Sequence, residues 1–192
     1  MISLPPHTLQ HCAPRIHPIT LSAVVRQESG GNPLLIHNNT SGHTYRPKSP
    51  GAAAALARKL IRQGHSVDLG LAQINSRNLS WLGLDLQTVF DPCRNLAAAQ
   101  TVLLDGWKRS GGNLRKTLAL YNTGKPDSKV GAKYAASVYS KAGWVIPAIP
   151  DSSASQGWQT AYTSAPPIRI KVEWTPAASP LQPHGDALTA RW

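Results

Sequence analysis

Apolar residues recur at helical spacing through most of the first 146 residues. Leu21, Val24 and Val25 lie on one face of a helix predicted over residues 20–29, because their spacing follows the 3.6-residue period. Further helices are predicted over residues 52–63, 92–109, 114–121 and 132–142. Strict alternation of apolar and polar residues, which indicates strands, is almost absent from this part of the chain. The pattern predicts a mainly α-helical domain over residues 1–146.

The ends of these helices carry recognisable signals. Asp91 followed by Pro92 is typical of an N-cap and a proline at the first helical position. Asn113 is predicted to cap the next helix, and Asn122 with Gly124 to end it.

Residues 147–192 differ in composition from the part before them. They contain 7 of the chain's 16 prolines, together with Ser and Ala clusters. This composition predicts an extended and largely disordered tail. Within the tail, residues 168–174 alternate apolar and charged side chains, which is the period of a half-buried strand. Such a short strand is unstable alone, so we interpret it as a candidate docking strand for a partner's sheet. Chance alternation and packing against the chain's own domain are the alternatives.

The chain is strongly basic, with a formal charge of +11. Residues 1–146 hold 17 Lys and Arg against 6 Asp and Glu, whereas residues 147–192 hold 3 of each. A basic domain favours a polyanionic partner, such as nucleic acid, an anionic membrane surface or an acidic cell-wall polymer. Zinc-finger spacing and an aromatic platform sequence are both absent, so no specific nucleic-acid partner is predicted. No apolar run approaches the roughly 20 residues of a membrane helix, and the N-terminal residues lack the pattern of a secretory signal.

Glu28 is one of only two glutamates in the chain. It continues the apolar stripe of Leu21, Val24 and Val25, so its carboxyl group is expected to be paired or partly desolvated. Desolvation raises the pKa of a carboxyl group, and a carboxylic acid that stays protonated near neutral pH suits general-acid cleavage of a glycosidic bond. Gly30 and the residues after it end the helix, which places the acid at the lip of a cleft. The alternative is a surface glutamate at a frayed helix end.

Cys12 and Cys93 are the only cysteines. They are either buried thiols, as in a cytosolic protein, or one disulfide, as in an oxidising compartment. His37, His43 and His65 lack ligand spacing with a carboxylate or cysteine, so neither a metal nor another cofactor is predicted.

Three short motifs follow one another in the helical part. They are Glu-Ser-Gly-Gly-Asn-Pro at 28–33, Asp-Leu-Gly-Leu-Ala-Gln-Ile-Asn at 68–75 and Ala-Leu-Tyr-Asn-Thr-Gly at 119–124. In order and spacing they resemble the lytic transglycosylase domain with a goose-lysozyme-like fold, over about residues 12–145. The sequences at 12–14, 64–68 and 91–96 resemble the branch associated with type IV secretion and conjugation systems. Ala72 stands where that family often has Met, and Leu120 where many members have Tyr.

The resemblance implies a lysozyme-like fold and cleavage of peptidoglycan between N-acetylmuramic acid and N-acetylglucosamine. Glu28 would protonate the glycosidic oxygen and then take the proton of the muramoyl 6-hydroxyl, which closes a 1,6-anhydro ring without water or a second carboxylate. The resemblance also implies a periplasmic location, where Cys12 and Cys93 are expected to form a disulfide. The enzyme would open the cell wall locally for a secretion or conjugation apparatus, whose channel components are the expected partners of residues 168–174.

The resemblance also assigns substrate-binding roles, each with a structural alternative. Ser29 would help to position the muramoyl group, or else is a helix C-terminal serine. Gln73 and Asn75 offer amide groups to N-acetyl and hydroxyl groups, or else fix the turn after Gly70. The hydroxyl of Tyr121 would approach the acid and the acetamido group, or else the residue belongs to the core. Asn122 is expected mainly to hold the local backbone.

Three rival functions stay open on the sequence alone. A lysozyme-type hydrolase on the same fold would add water and release reducing ends. A non-catalytic peptidoglycan-binding assembly factor would use the fold without cleaving the substrate, and the presence of Glu28 argues against it. A nucleic-acid-binding protein is suggested by charge only.

Overall fold

The computed structural model describes residues 5–143, which form α-helices and a small antiparallel sheet. The helices are α1 (Pro6–Cys12), α2 (Pro18–Glu28), α3 (Pro50–Arg62), α4 (Pro92–Arg109), α5 (Leu114–Thr123) and α6 (Lys129–Lys141). The strands are β1 (Ile36–Asn38), β2 (Thr44–Tyr45), β3 (Val67–Leu69) and β4 (Ile74–Asn75), and a short 3-10 helix follows at Ser76–Asn78. The domain is mainly α-helical, as predicted. The predicted tail, with the candidate docking strand at 168–174, lies outside the described residues.

The helices begin and end where local chemistry favours it. The Asp91 side chain accepts a hydrogen bond from the Arg94 amide at 2.8 Å, and the Asn113 side chain accepts one from the Lys116 amide at 3.0 Å. Both predicted N-caps are therefore confirmed. Gly124 ends α5 in the left-handed conformation, with φ of 69°, which costs glycine little because it has no Cβ.

The sheet was not predicted. Its four antiparallel strands lie in the order β2-β1-β3-β4, with Ile36 opposite Tyr45 on one side and opposite Leu69 on the other. Strands of two or three residues are too short to show an alternating pattern, so the near absence of alternation in the sequence did not reveal them. The sheet supplies one wall of the cleft described below. Helix α1 was also not predicted.

The core forms where α2, α4, α5 and α6 face one another. Leu21 and Val24 of α2, Leu96 of α4, Leu118 of α5 and Val138 of α6 are each at most 2% exposed. Burying one such side chain stabilises the fold by about 2 kcal/mol relative to leaving it exposed. The helical stripe that predicted α2 from the sequence therefore packs into this core. Within residues 5–143, no helix is both long enough and apolar enough to cross a bilayer.

A buried asparagine ties the sheet to α4. Asn95 is 1% exposed, and its Oδ1 accepts a hydrogen bond from the Ala72 amide at 2.8 Å. Its Nδ2 donates to the carbonyl oxygens of Leu69 at 3.0 Å and Val89 at 2.8 Å. Gly70 lies against this amide, since an ideal Cβ there would stand 2.5 Å from Nδ2 of Asn95. The loop between β3 and β4 is thereby held to α4.

A disulfide joins Cys12 at the end of α1 to Cys93 in the first turn of α4. The two residues are 81 positions apart in sequence, and their Cα atoms are 5.0 Å apart. The predicted pairing is confirmed. The bond links the segment before α2 to the start of α4. The C-terminal ends of these two helices carry Glu28 and Arg109, which line the cleft described next.

Candidate active site

A cleft of about 540 Å³ opens between the end of α2, the sheet and the helices α4 and α5. Most of its lining is polar, which suits a ligand rich in hydroxyl and amide groups. The lining includes Glu28, Asn39, Asp68, Gln73, Asn75, Trp81, Val102, Asp105, Arg109, Tyr121 and Asn122. The cleft thus brings together all the predicted site residues except Ser29.

Glu28 is the last residue of α2, and its half-buried side chain faces the cleft. The pKa of its carboxyl group is raised from the ordinary 4.5 to about 7, chiefly because the buried anion loses hydration. Within this net shift, a hydrogen bond from Tyr134 lowers the pKa and the negative charge of Asp68 raises it. A substantial fraction of Glu28 is therefore protonated at neutral pH, as a general acid requires.

Tyr134 was missed in the sequence. It lies on the buried face of α6, is 7% exposed, and donates its hydroxyl hydrogen bond to Oε1 of Glu28. Burial holds the pKa of Tyr134 well above its ordinary value, so this hydroxyl stays a donor. In the sequence Tyr134 shares an apolar helical stripe with Ala135 and Val138, which indicates core packing and nothing more. The contact spans 106 residues, so local periodicity carries no sign of it.

Tyr121 lies beside Tyr134 without touching the acid through its hydroxyl. The two rings stack with centroids 6.4 Å apart and planes 18° apart. The hydroxyl of Tyr121 donates to the carbonyl oxygen of Ala72 at 2.7 Å. The tyrosine expected to contact Glu28 was Tyr121, whereas Tyr134 makes that contact. Burial and then the charge of Glu28 raise the pKa of Tyr121, which agrees with a position near the acid.

Asp68 of β3 is a second carboxyl group in the cleft. Its Oδ1 accepts a hydrogen bond from Nδ2 of Asn75 at 2.7 Å, and its Oδ2 accepts one from Nδ2 of Asn39 at 2.8 Å. Burial raises the pKa of Asp68, while these two amide donors lower it. Asn75 also accepts at Oδ1 from the Arg77 amide at 3.0 Å, capping the 3-10 helix. Asn75 therefore holds the carboxylate and the local backbone at once.

Gln73 has a strained backbone, and only the Nε2 atom of its side-chain amide is hydrogen-bonded within the described residues. Its φ of 51° is the only positive value at a non-glycine residue between residues 5 and 143. Its Nε2 donates to the carbonyl oxygens of Gly70 at 2.8 Å and Leu35 at 3.2 Å. Its Oε1 accepts no hydrogen bond from the described part of the chain. The amide thus fixes the loop, as the structural alternative expected, and leaves one acceptor for a ligand.

Ser29 and Asn122 differ from what the sequence suggested. Ser29 does not line the cleft, and its Oγ donates to the Val25 carbonyl at 3.3 Å and accepts from the Gly31 amide at 3.1 Å. This geometry favours the helix-end alternative, and a contact with substrate stays a prediction. Asn122 is exposed and lines the cleft, and its side chain makes no hydrogen bond to any other described residue. Its amide is therefore available to a ligand, and the expected backbone-holding role is not seen.

The wall of the cleft formed by α4 carries residues that the sequence analysis did not select. Nη1 of Arg109 lies 3.3 Å from Oδ2 of Asp105 in an exposed ion pair. Trp81, after the 3-10 helix, is 54% exposed and lines the same cleft. Across residues 5–143, no group of three or more His, Cys, Asp or Glu side chains is arranged to hold a metal ion.

Comparison with known proteins agrees with this geometry. The sequence model described as the transglycosylase SLT domain matches residues 8–145. Similar curated proteins include "Protein virB1" of Agrobacterium fabrum (strain C58), which is 38% identical over 123 residues. "Protein virB1" of Rhizobium radiobacter is 34% identical over 151 residues, and "Type IV secretion system protein virB1" of Brucella abortus biovar 1 is 34% identical over 123 residues.

The matches cover parts of each chain. They span 60%, 74% and 60% of this chain and 49%, 62% and 52% of the Agrobacterium, Rhizobium and Brucella relatives, respectively. The chain thus spans about half to three fifths of the length of these relatives. No solved structure gives a significant match.

Proposed function

Since the chain belongs to the transglycosylase SLT domain family, we propose that it is a peptidoglycan lytic transglycosylase. It cleaves the β-1,4 bond between N-acetylmuramic acid and N-acetylglucosamine and leaves a 1,6-anhydromuramoyl end. The observation that carries the proposal is Glu28, a half-buried carboxyl group in a polar cleft whose pKa is raised to about 7 by burial. A group with this pKa can both give and take a proton near neutral pH.

The two proton transfers use one carboxyl group. Protonated Glu28 gives its proton to the glycosidic oxygen as the bond to the muramoyl C1 breaks, and the acetamido group of the sugar stabilises the positive charge. The resulting carboxylate takes the proton of the 6-hydroxyl while that oxygen bonds to C1. Glu28 ends the cycle protonated, and no water is consumed. Tyr134 holds Oε1 of Glu28 through both steps, since its own raised pKa keeps it a donor.

The remaining cleft residues are proposed to bind the sugars. Asn122 has a free amide, and Gln73 has a free carbonyl oxygen, so each fits an N-acetyl or hydroxyl group. Tyr121 forms part of the wall beside the acid, where its ring packs against Tyr134. Asn75 acts through Asp68, whose carboxylate it holds. These assignments are based on two observations: the residues line the cleft, and the amide groups of Gln73 and Asn122 have hydrogen-bonding atoms without a partner among the described residues.

A lysozyme-type hydrolase is the second candidate, and Asp68 is the observation that favours it. A second carboxylate in the cleft is what a hydrolase uses to activate water or to form an intermediate. One observation weighs against that role, because both oxygens of Asp68 already accept hydrogen bonds from the side-chain amides of Asn39 and Asn75.

Product analysis separates the two reactions. Purified sacculi are digested with the protein, and the soluble muropeptides are weighed by mass spectrometry. Each anhydro product is lighter by one water than the corresponding hydrolysis product, so a transglycosylase yields only the lighter series. Exclusively reducing ends would assign the protein as a hydrolase, and no soluble product would favour a non-catalytic wall-binding protein.

The biological setting is proposed from the relatives. The Brucella relative is named as a type IV secretion system protein, which supports a role in opening the wall locally for a secretion or conjugation apparatus. Peptidoglycan lies in the periplasm, so we place the protein there, and the disulfide fits that oxidising compartment. Contact of residues 168–174 with channel components stays a prediction. The proposed domain limits, 1–146 and 147–192, also stay predictions.

A further inference from the structure

The cleft is acidic, although the domain around it is basic. Residues 1–146 hold 17 Lys and Arg against 6 Asp and Glu. Among the described residues that line the cleft, Arg109 is the only Lys or Arg, whereas Glu28, Asp68 and Asp105 are all acids. Neutral sugars can therefore bind at the cleft floor, whereas a carboxylate of the ligand would be repelled there by Glu28 and Asp68. A carboxylate of the ligand is attracted only at the wall that carries Arg109.

That wall presents both charges side by side. Val102, Asp105 and Arg109 lie at i, i+3 and i+7 along α4, so they share the face turned to the cleft. Nη1 of Arg109 donates to Oδ2 of Asp105 at 3.3 Å, and the two side chains are 55% and 51% exposed. Oδ1 of Asp105 and the other guanidinium N–H groups make no further hydrogen bond within the described residues. An exposed pair of this kind is weak, so a ligand can extend or replace it at little cost.

Trp81 adds an apolar surface to the same cleft. Its side chain is 54% exposed and is one of few large apolar side chains exposed between residues 5 and 143. An indole ring in a polar cleft packs well against the C–H face of a sugar or an aliphatic chain. The cleft thus offers a flat apolar surface, a hydrogen-bond acceptor and a planar set of donors.

We propose that Asp105 and Arg109 bind the peptide substituent of the glycan strand, at an amino-acid residue with a free ammonium and a free carboxylate. The guanidinium of Arg109 donates to the carboxylate, for which its planar geometry is well suited. Oδ1 of Asp105 accepts from the ammonium, and Trp81 packs against the neighbouring sugar or aliphatic part. This inference rests on the proposed function. Such a site would make the protein selective for glycan strands that carry peptides. The amine of the recognised amino-acid residue must also be free, and so not part of a cross-link.

The test compares two substrates with the full chain. Glycan strands from purified sacculi are used either with their peptides or after an amidase has removed them, and the release of anhydro ends gives kcat/KM for each. The wild-type protein is expected to prefer peptide-bearing strands. Arg109→Ala and Asp105→Asn should each lower the ratio of the two kcat/KM values about tenfold, the usual cost of one charge-assisted hydrogen bond.

The control variant is Lys108→Ala. Lys108 neighbours Arg109 on α4 and is exposed, but it does not line the cleft, so the same change in net charge should leave the ratio within twofold. An unchanged ratio in Arg109→Ala, or an equal fall in Lys108→Ala, overturns the peptide site and leaves the lytic activity standing. A wild-type protein inactive on both substrates instead refutes the proposed function, on which the peptide site depends.

Discussion

Tyr134 of α6 donates its hydroxyl hydrogen bond to Oε1 of Glu28, the last residue of α2. Helix α2 thus supplies the reacting carboxyl group, and α6, which is distant in the sequence, supplies the hydroxyl that binds it. Burial raises the pKa of Glu28 to about 7, and the hydrogen bond from Tyr134 opposes that rise because it stabilises the anion. The tyrosine therefore both orients the carboxyl group and limits how far its pKa rises.

Replacing Tyr134 with Phe should separate these two effects. The pKa of Glu28 should rise, so the alkaline limb of the kcat/KM profile moves to higher pH. The rate at its maximum should fall about tenfold to a hundredfold, because the carboxyl group is less well oriented. The measurement is the pH profile of anhydro-product release. Tyr45→Phe is the control, since Tyr45 lies in β2 outside the cleft lining. An unchanged rate together with an unmoved profile would mean that Tyr134 matters only for packing.

Replacing Glu28 with Gln should abolish wall lysis while sacculus binding persists. The change keeps the shape of the side chain and removes the transferable proton, so a loss of at least a thousandfold is expected. Turbidity of a sacculus suspension measures lysis, and co-sedimentation measures binding. Lysis within tenfold of the parent would place the acid elsewhere. Asp68→Asn is the informative comparison, because a lytic transglycosylase should tolerate it better than Glu28→Gln.

The pH dependence follows from the raised pKa of Glu28. The free enzyme needs the protonated acid, so kcat/KM should fall as pH rises through about 7, the pKa of Glu28 in the fold. The same shift affects stability: the folded state binds this proton more tightly than the unfolded chain does. The stabilisation is present below pH 4.5 and lost as pH rises to about 7. The free energy of unfolding of Glu28→Gln should therefore exceed that of the parent by about 3 kcal/mol at pH 8, with no such gain at pH 4. Equal differences at both pH values would contradict the raised pKa.

Reduction of the disulfide should destabilise the domain. Cys12 and Cys93 close a loop of 81 residues. Without that constraint the unfolded chain gains conformational entropy, which lowers the free energy of unfolding by roughly 4 kcal/mol. Guanidinium unfolding with and without reductant measures the difference. A Cys12→Ser, Cys93→Ser double variant should be insensitive to reductant. Two thiols titrated in the unreduced, unfolded protein from its native compartment would rule out the bond.

Replacing Asn95 with Ala should lower stability by roughly 3 kcal/mol or more, because the Ala72 amide and two carbonyl oxygens lose their buried partner. Thermal unfolding measures the loss. Asn122→Ala is the matched control, since that exposed side chain makes no hydrogen bond in the described part of the chain, and its effect should stay within about 0.5 kcal/mol. Similar losses in the two variants would show that Asn95 does not hold the loop between β3 and β4.

The sequence by itself determined the features that depend on neighbouring residues. The stripe of Leu21, Val24 and Val25 predicted α2 and the unusual position of Glu28, and Asp91 and Asn113 predicted the starts of α4 and α5. Helical periodicity and capping are local, since they depend on residues three or four positions apart. For the same reason the two- and three-residue strands escaped prediction, because their pairing is with distant segments and leaves no period of its own.

Only the tertiary structure decided which side chains meet in the cleft. Tyr134 reads as core in the sequence, and its contact with Glu28 across 106 positions exists because α2 packs against α6. The hydroxyl of Tyr121, on α5, donates to the carbonyl oxygen of Ala72 instead of to the acid, and this contact also joins residues far apart in the sequence. The raised pKa of Glu28 also needs the whole fold, because desolvation is produced by every element that excludes water from the carboxyl group. Contacts between distant segments are fixed by packing, and no local pattern encodes them.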